Sequence, residues 1–338
     1  MTPHSTLPPI VITMGDPGGV GPEILLKLWA ARTELKLPPF AVIGTLEAFS
    51  ILGTDTSIEQ IQDLKQTSKI FSKSLPLLSI KAVTKTTLGE ADPRNGAAVI
   101  EAIDVAIQAC LQKEASGMVT MPINKSSLYK AGFDAPGHTE YLARQCGLED
   151  DSSVMMLANT ALRTVPVTVH QPLETVPRSL TDQLIIDRAV KTATDLRDFF
   201  GIREPRLAIA GLNPHAGEDG MMGLEDGVKI VPAVRALQEM GINAFGPLPA
   251  DTLFHEEARA TYDAALCMYH DQALIPVKTL DFHGSVNVTL GLPIIRTSPD
   301  HGTALDIAGQ DKATIKSSLN AVRMAAEMAT YALGVKDD

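Results

Sequence analysis

Residues 9–32 read PIVITMGDPGGVGPEILLKLWAAR, and this stretch decides the fold class. Pro9–Thr13 is a short apolar run rich in β-branched residues, the pattern of a strand buried on both faces. A glycine-rich turn follows. A helix then runs from about Pro22 through Trp29 to Arg32, with proline in the first helical turn, where its missing N–H costs little. The alternation repeats along the chain. Strands are expected at Phe40–Gly44, Leu77–Val83, Gly117–Met121, Val154–Ala158, Thr164–Val169, Arg206–Ala210 and Ala264–Met268. Helices are expected at Arg94–Lys113, Asn124–Lys130, Thr181–Phe200, Gly223–Met240 and Asp311–Leu333. Such alternation implies an α/β protein, with a mixed or largely parallel sheet covered by helices on both faces. The most polar stretch, 54–75, is expected to be a surface excursion.

The 338 residues suit roughly two domains. Turn-rich segments near 132–138 and 296–303 are the best crossing points, giving one lobe from 1–132 plus 300–338 and another from 133–299. With 45% hydrophobic but only 4% aromatic residues, the core must be built from Ala, Val, Ile and Leu. A net charge of −11 excludes a basic nucleic-acid footprint, so an anionic ligand would need a local cluster of cations and N–H groups. Cys110, Cys146 and Cys267 form no CxxC pair and suggest neither a disulfide framework nor a thiolate zinc site. No secretory signal pattern opens the chain, and no apolar run approaches the ~20 residues of a membrane span. The expectation is a cytoplasmic protein.

Chemistry in α/β folds gathers beyond strand ends. Three histidines lie there: His170 in VPVTVHQPL (165–173), His215 in IAGLNPHAGEDG (209–220) and His270 in ALCMYHDQALIPVK (265–278). A lone histidine in such a place is more often a hydrogen-bonded structural residue. Three, without a cysteine partner, suit a divalent metal with open coordination positions. Asn213, Glu218, Asp271 and Gln272 stand beside them as supporting groups.

Anion-binding candidates are weaker one by one. Gly137-His138-Thr139, after Pro136, could offer helix N–H groups, a hydroxyl and an imidazole to a phosphate; the alternative is an ordinary cap by Thr139. Lys278, Asn287 and Arg296 recur around short strands and could complete a phosphate site, or be solvated strand ends. Asp251 and Asp300 are each either a helix cap or a site carboxylate. The turn MGDPGGVGPE (14–23) could cradle an anion or simply join strand to helix. It is not a GxGxxG fingerprint, so a Rossmann-type dinucleotide site is not supported.

MGDPGGVGPE, GHTEYLA (137–143), LNPHAGEDG (212–220), GPLPADTLF (246–254), YHDQ (269–272) and NVTLGLPIIRTSPDHGTALDIAG (287–309) together resemble the 4-hydroxythreonine-4-phosphate dehydrogenase family of the pyridoxal phosphate pathway. The resemblance runs from about Ile10 to Leu333. It implies a two-lobed α/β/α fold like that of isocitrate and isopropylmalate dehydrogenases. It also implies a cleft between the lobes and a homodimer with active sites at the interface. By resemblance, His170, His215 and His270 hold a divalent metal (zinc, magnesium or cobalt). His138, Thr139, Lys278, Asn287 and Arg296 contact substrate, and Lys278 and Asp251 serve catalysis. NAD or NADP binds without a Rossmann motif. The implied reaction oxidises 4-phosphooxy-L-threonine at C3; decarboxylation then gives 3-amino-2-oxopropyl phosphate. Related enzymes act on threonate or erythronate 4-phosphate, or on an unphosphorylated dihydrodiol, and the phosphate set disfavours the last. A metal-dependent phosphatase and a non-catalytic binding protein are the readings from other classes.

Overall fold

The computed structural model describes residues 7–135 and 137–334; Pro136, in the turn before His138, lies outside them. Among the described residues twelve strands run in chain order: β1 (Ile10–Thr13), β2 (Phe40–Gly44), β3 (Ile58–Ile61), β4 (Leu75–Ser79), β5 (Gly117–Thr120), β6 (Val154–Ala158), β7 (Arg163–Pro166), β8 (Arg206–Ala210), β9 (Asn243–Leu248), β10 (Ala264–Cys267), β11 (Val286–Leu290) and β12 (Arg296–Pro299). The chain forms two compact units. One runs to Ser153 and resumes at Leu292; the other is Val154–Gly291.

These boundaries differ from those expected at 132 and 300. The helix His138–Gln145 belongs to the first unit because Tyr141, Leu142 and Ala143 share a core with Ile103, and the Tyr141 hydroxyl donates to Asp104 at 2.5 Å. Residues 296–299 belong there too, since β12 pairs in parallel with β5.

In the first unit the strand order is β3-β4-β2-β1-β5-β12, and all five pairings are parallel. Side chains alternate between the faces of a strand. Val11, Ala41, Ile43 and Met118 meet the helix Gly96–Leu111 through Val99, Ala102, Ile103 and Ala106. Ile10, Ile12, Phe40, Val42 and Val119 are equally buried on the other face, where the helix Lys316–Ala332 packs on β1, β5 and β12. Both faces are dry, which is why the strands read as unbroken apolar runs. The polar stretch 54–75 is not a mere excursion. It supplies the edge strand β3 and the short helix Thr67–Phe71, whose Phe71 ring meets Phe40 edge-on at 4.8 Å. Glu59 and Gln60 face solvent on that edge, so the strand carries little apolar signal.

In the second unit the order is β11-β6-β7-β10-β8-β9, with β6 antiparallel to both β11 and β7 and the rest parallel. The helix His270–Leu280 buries Ala273 and Val277 against Leu157, Ala208 and Ala265; the helix Asp182–Asp198 packs on β6, β8 and β11. Each unit is thus a parallel or mixed sheet between helical layers, the α/β class read from the sequence.

Candidate active site

In the first unit the site is built from the ends of two adjacent parallel strands. Arg296 opens β12 in register with Met118 of β5, so its side chain lies on the same face as Thr120, two residues further along β5. Both are buried, at 4% and 1% exposure. The Thr120 hydroxyl accepts from Arg296 Nε at 3.1 Å and from a terminal guanidinium nitrogen at 2.7 Å. That same nitrogen lies 3.2 Å from His138 Nδ1. Guanidinium only donates, so Nδ1 accepts and the ring's hydrogen sits on Nε2. Nε2 is shielded from solvent and has no hydrogen-bond partner among the described residues. Burial first, then the charges of Arg296 and Lys125, hold the imidazole well below its usual titration range, so it is neutral. Burial also lowers Arg296 to about 10, which leaves it charged at neutral pH. The result is a buried cation, a neutral N–H donor and the N-terminus of the His138 helix, which no side chain caps. Such a group of donors favours an anion.

Thr139 is in the first turn, but Gly137 occupies the cap position, and the Thr139 hydroxyl donates to Glu140 at 2.9 Å. Thr120 and Lys125 were missed by sequence reading. The rule that strand ends carry function pointed at Thr120, yet nothing local tied it to Arg296.

The second unit holds the three strand-end histidines. His270 begins a helix just after β10, and Asp271 accepts at 2.7 Å from its Nδ1. Glu218 stands in the same relation to His215, at 3.1 Å. A carboxylate on Nδ1 leaves Nε2 as the lone-pair side, the arrangement of metal-ligating histidine. The His170 and His270 rings lie 5.7 Å apart, centroid to centroid. They line a cavity of about 440 Å³ with Thr168, Leu173, Tyr269 and Asp271. Their donor chemistry and spacing fit two ligands of one divalent ion with bonds of about 2.0–2.1 Å. His215 does not join them. Its side chain is 63% exposed, and among the described residues no three of His, Cys, Asp and Glu converge on one point.

His215 opens a run through Asp219 in which every φ is positive, between 41° and 85°. Each non-glycine residue there costs roughly 1–2 kcal/mol, and such strain persists only where the surroundings impose it. Asp226 imposes it. Its buried carboxylate accepts from the Leu212 and Asn213 N–H groups and from the Asn213 amide, at 2.8, 3.1 and 2.9 Å. Gln272 ties the neighbouring helix to the end of β8 by donating to Gly211 O at 2.7 Å. Asn213 and Gln272 therefore brace backbone, whereas Glu218 and Asp271 touch the rings.

The remaining candidates are more scattered. Asp251 is exposed on the turn Ala250–Thr252, which packs against the His215 turn. Asn287 lies on β11 opposite Leu157, its Oδ1 buried and without a partner. Lys278 is in the last turn of the His270 helix rather than by a strand, its Nζ 5.7 Å from the Phe282 ring centroid. Asp300 does not occupy a helix cap position; its N–H donates to Ser317 Oγ at 3.0 Å. The turn 14–23 is not an anion cradle either. The Gly18 N–H goes to the Asp16 carboxylate, that of Gly19 to Asp16 O and that of Val20 to Thr303 O.

The family model for pyridoxal phosphate biosynthetic protein PdxA matches residues 40–325. The chain is 49% identical over 326 residues to a 4-hydroxythreonine-4-phosphate dehydrogenase of Erythrobacter litoralis, covering 95% of this chain and 96% of the relative. It is 47% identical over 325 residues to the enzyme so named in Caulobacter vibrioides, with 95% and 97% covered. The crystal structure of 4-hydroxythreonine-4-phosphate dehydrogenase from Klebsiella pneumoniae is similar at 33% identity and a TM-score of 0.86, over 95% of this chain and 99% of that one.

Proposed function

The chain belongs to the PdxA family of pyridoxal phosphate biosynthetic proteins, and from that premise we propose that it oxidises 4-phosphooxy-L-threonine at C3 with NAD or NADP. The product, 2-amino-3-oxo-4-phosphooxybutanoate, loses CO2 to give 3-amino-2-oxopropyl phosphate for pyridoxine 5'-phosphate synthesis. The observation that carries this reading is the buried pair of Arg296 and neutral His138, whose unpartnered Nε2 suits a substrate phosphate.

His138, Thr139 and Arg296 bind the phosphate, and by family resemblance Lys278 and Asn287 also contact substrate. Binding at the phosphate, remote from C3, orients the reacting carbon and raises the effective concentration of the aligned pair. His170 and His270 would hold a divalent metal (zinc, magnesium or cobalt), with His215 as the third ligand by family resemblance. When bound, the metal acts as a Lewis acid on the C3 oxygen, making the hydroxyl more acidic and the later ketone more electrophilic. Asp251 stands near the metal or the substrate amine, and Lys278 serves catalysis.

A homodimer is part of the same reading. Met221, Leu224 and Val228 are 84%, 66% and 62% exposed on one short stretch, apolar surface of the sort that a second copy covers. Among the described residues no helix is long and apolar enough to cross a membrane.

The direct test follows reduced nicotinamide with 4-phosphooxy-L-threonine, each cofactor and a divalent metal, with and without chelator. Chelator-sensitive reduction is expected. Turnover of threonate or erythronate 4-phosphate in its place would move the chain to another substrate, and silence with all of them would end the dehydrogenase reading.

A further inference from the structure

We propose that Thr120 is a positioning residue of the phosphate seat. Its hydroxyl accepts two hydrogens of Arg296 and so holds the guanidinium where it donates to His138 Nδ1, which leaves Nε2–H as the ring's donor to the ligand.

The argument is geometric. Arg296 and Thr120 are 176 residues apart in sequence and meet because β5 and β12 are neighbours. A long guanidinium side chain has many rotamers, and one hydroxyl taking both Nε and a terminal nitrogen selects among them. The terminal nitrogen so fixed is the one that reaches His138. An imidazole has two neutral tautomers, and the neighbour at one nitrogen decides which is present. Here a group that only donates faces Nδ1, so the hydrogen must lie on Nε2. The chain Thr120–Arg296–His138 therefore supplies a hydrogen-bond donor of defined direction without requiring a protonated ring. Burial and the adjacent charges of Arg296 and Lys125 act the same way, opposing a second proton.

This inference rests on the seat's being the substrate's phosphate site. The test uses the full-length protein, Thr120→Val and Thr120→Ser. Valine keeps the shape and removes the acceptor; serine keeps the acceptor. Sulfate, whose charge is constant between pH 5 and 8, is the probe. In wild type, sulfate should compete with the phosphorylated substrate with an inhibition constant that His138 does not make pH-dependent. Thr120→Val should raise KM and the sulfate constant about tenfold, the scale of a lost hydrogen bond to a charged group, with kcat little changed. Thr120→Ser should restore both constants.

An unchanged KM and sulfate constant in Thr120→Val, with normal wild-type turnover, overturns the role of Thr120 alone. Sulfate that does not compete in wild type overturns the phosphate seat and this inference with it. Should the valine variant not fold, nitrogen NMR of wild-type His138 decides: an Nε2–H tautomer at pH 7 supports the assignment, and an Nδ1–H tautomer or an imidazolium overturns it.

Discussion

Asp195 offers a quantitative test of how the second unit is held together. It lies in the helix Asp182–Asp198, 6% exposed, and its carboxylate accepts the Gly291 N–H at 2.7 Å. Gly291 directly follows β11, the strand that carries Asn287. Burial raises this carboxyl from 3.8 to about 7; the Gly291 hydrogen bond opposes the rise and Asp198 adds to it. The sign follows from linkage. Between pH 3.8 and about 7 the folded state keeps the proton and the unfolded state does not, so stability falls as pH rises. The loss is about 1.4 kcal/mol per pH unit and levels off above the folded value.

Asp195→Asn removes the titration and keeps an oxygen for Gly291. From pH 5 to pH 8 the variant should therefore gain about 3 kcal/mol on wild type, two pH units of the slope. For a chain of this length that corresponds to roughly 4 °C in the melting midpoint. The assay is thermal unfolding of both proteins at pH 5, 6, 7 and 8. A variant-minus-wild-type difference that stays constant over this range would show that the carboxyl does not titrate as its burial requires.

Gly18→Ala should lower stability by about 1–3 kcal/mol, because a Cβ there would fall 2.2 Å from the Glu90 carbonyl oxygen; a melting midpoint equal to wild type would contradict that packing. His170→Ala and His270→Ala should each weaken zinc or cobalt binding at least tenfold by calorimetry, while His255→Ala, outside the site, should not; retained affinity in the first two removes them as ligands. Asp251→Asn should lower kcat/KM with little change in melting, and an unchanged kcat/KM takes Asp251 out of the mechanism. Leu224→Asp should shift sedimentation from dimer to monomer; a monomeric wild type, or a variant that stays dimeric, refutes the assigned interface.

Strand and helix placement was legible because burial on both faces leaves a local trace. Phe40–Gly44 and Arg206–Ala210 read as continuous apolar runs and fold as β2 and β8 with those limits. The edge strand β3 and the strand β9 escaped notice, one because its residues face water, the other because glycine and proline interrupt it. Three histidines beyond strand ends were visible for a similar reason, since polar residues following buried runs stand out.

The amino-acid sequence by itself determined the α/β class, the strand-end positions of His170, His215 and His270, and the helix start at His138. Only the tertiary structure decided which of these groups meet. It set His170 against His270 and left His215 on a separate turn whose left-handed backbone Asp226 supports. It joined Thr120, Arg296 and His138 across sequence separations of 176 and 158. It also drew the boundary of the first unit past Ser153 and back in at Leu292, because the chain returns to pair β12 with β5. Local pattern reports the burial of each segment. Partners so far apart in sequence are chosen by strand order, and strand order follows from the packing of the whole sheet.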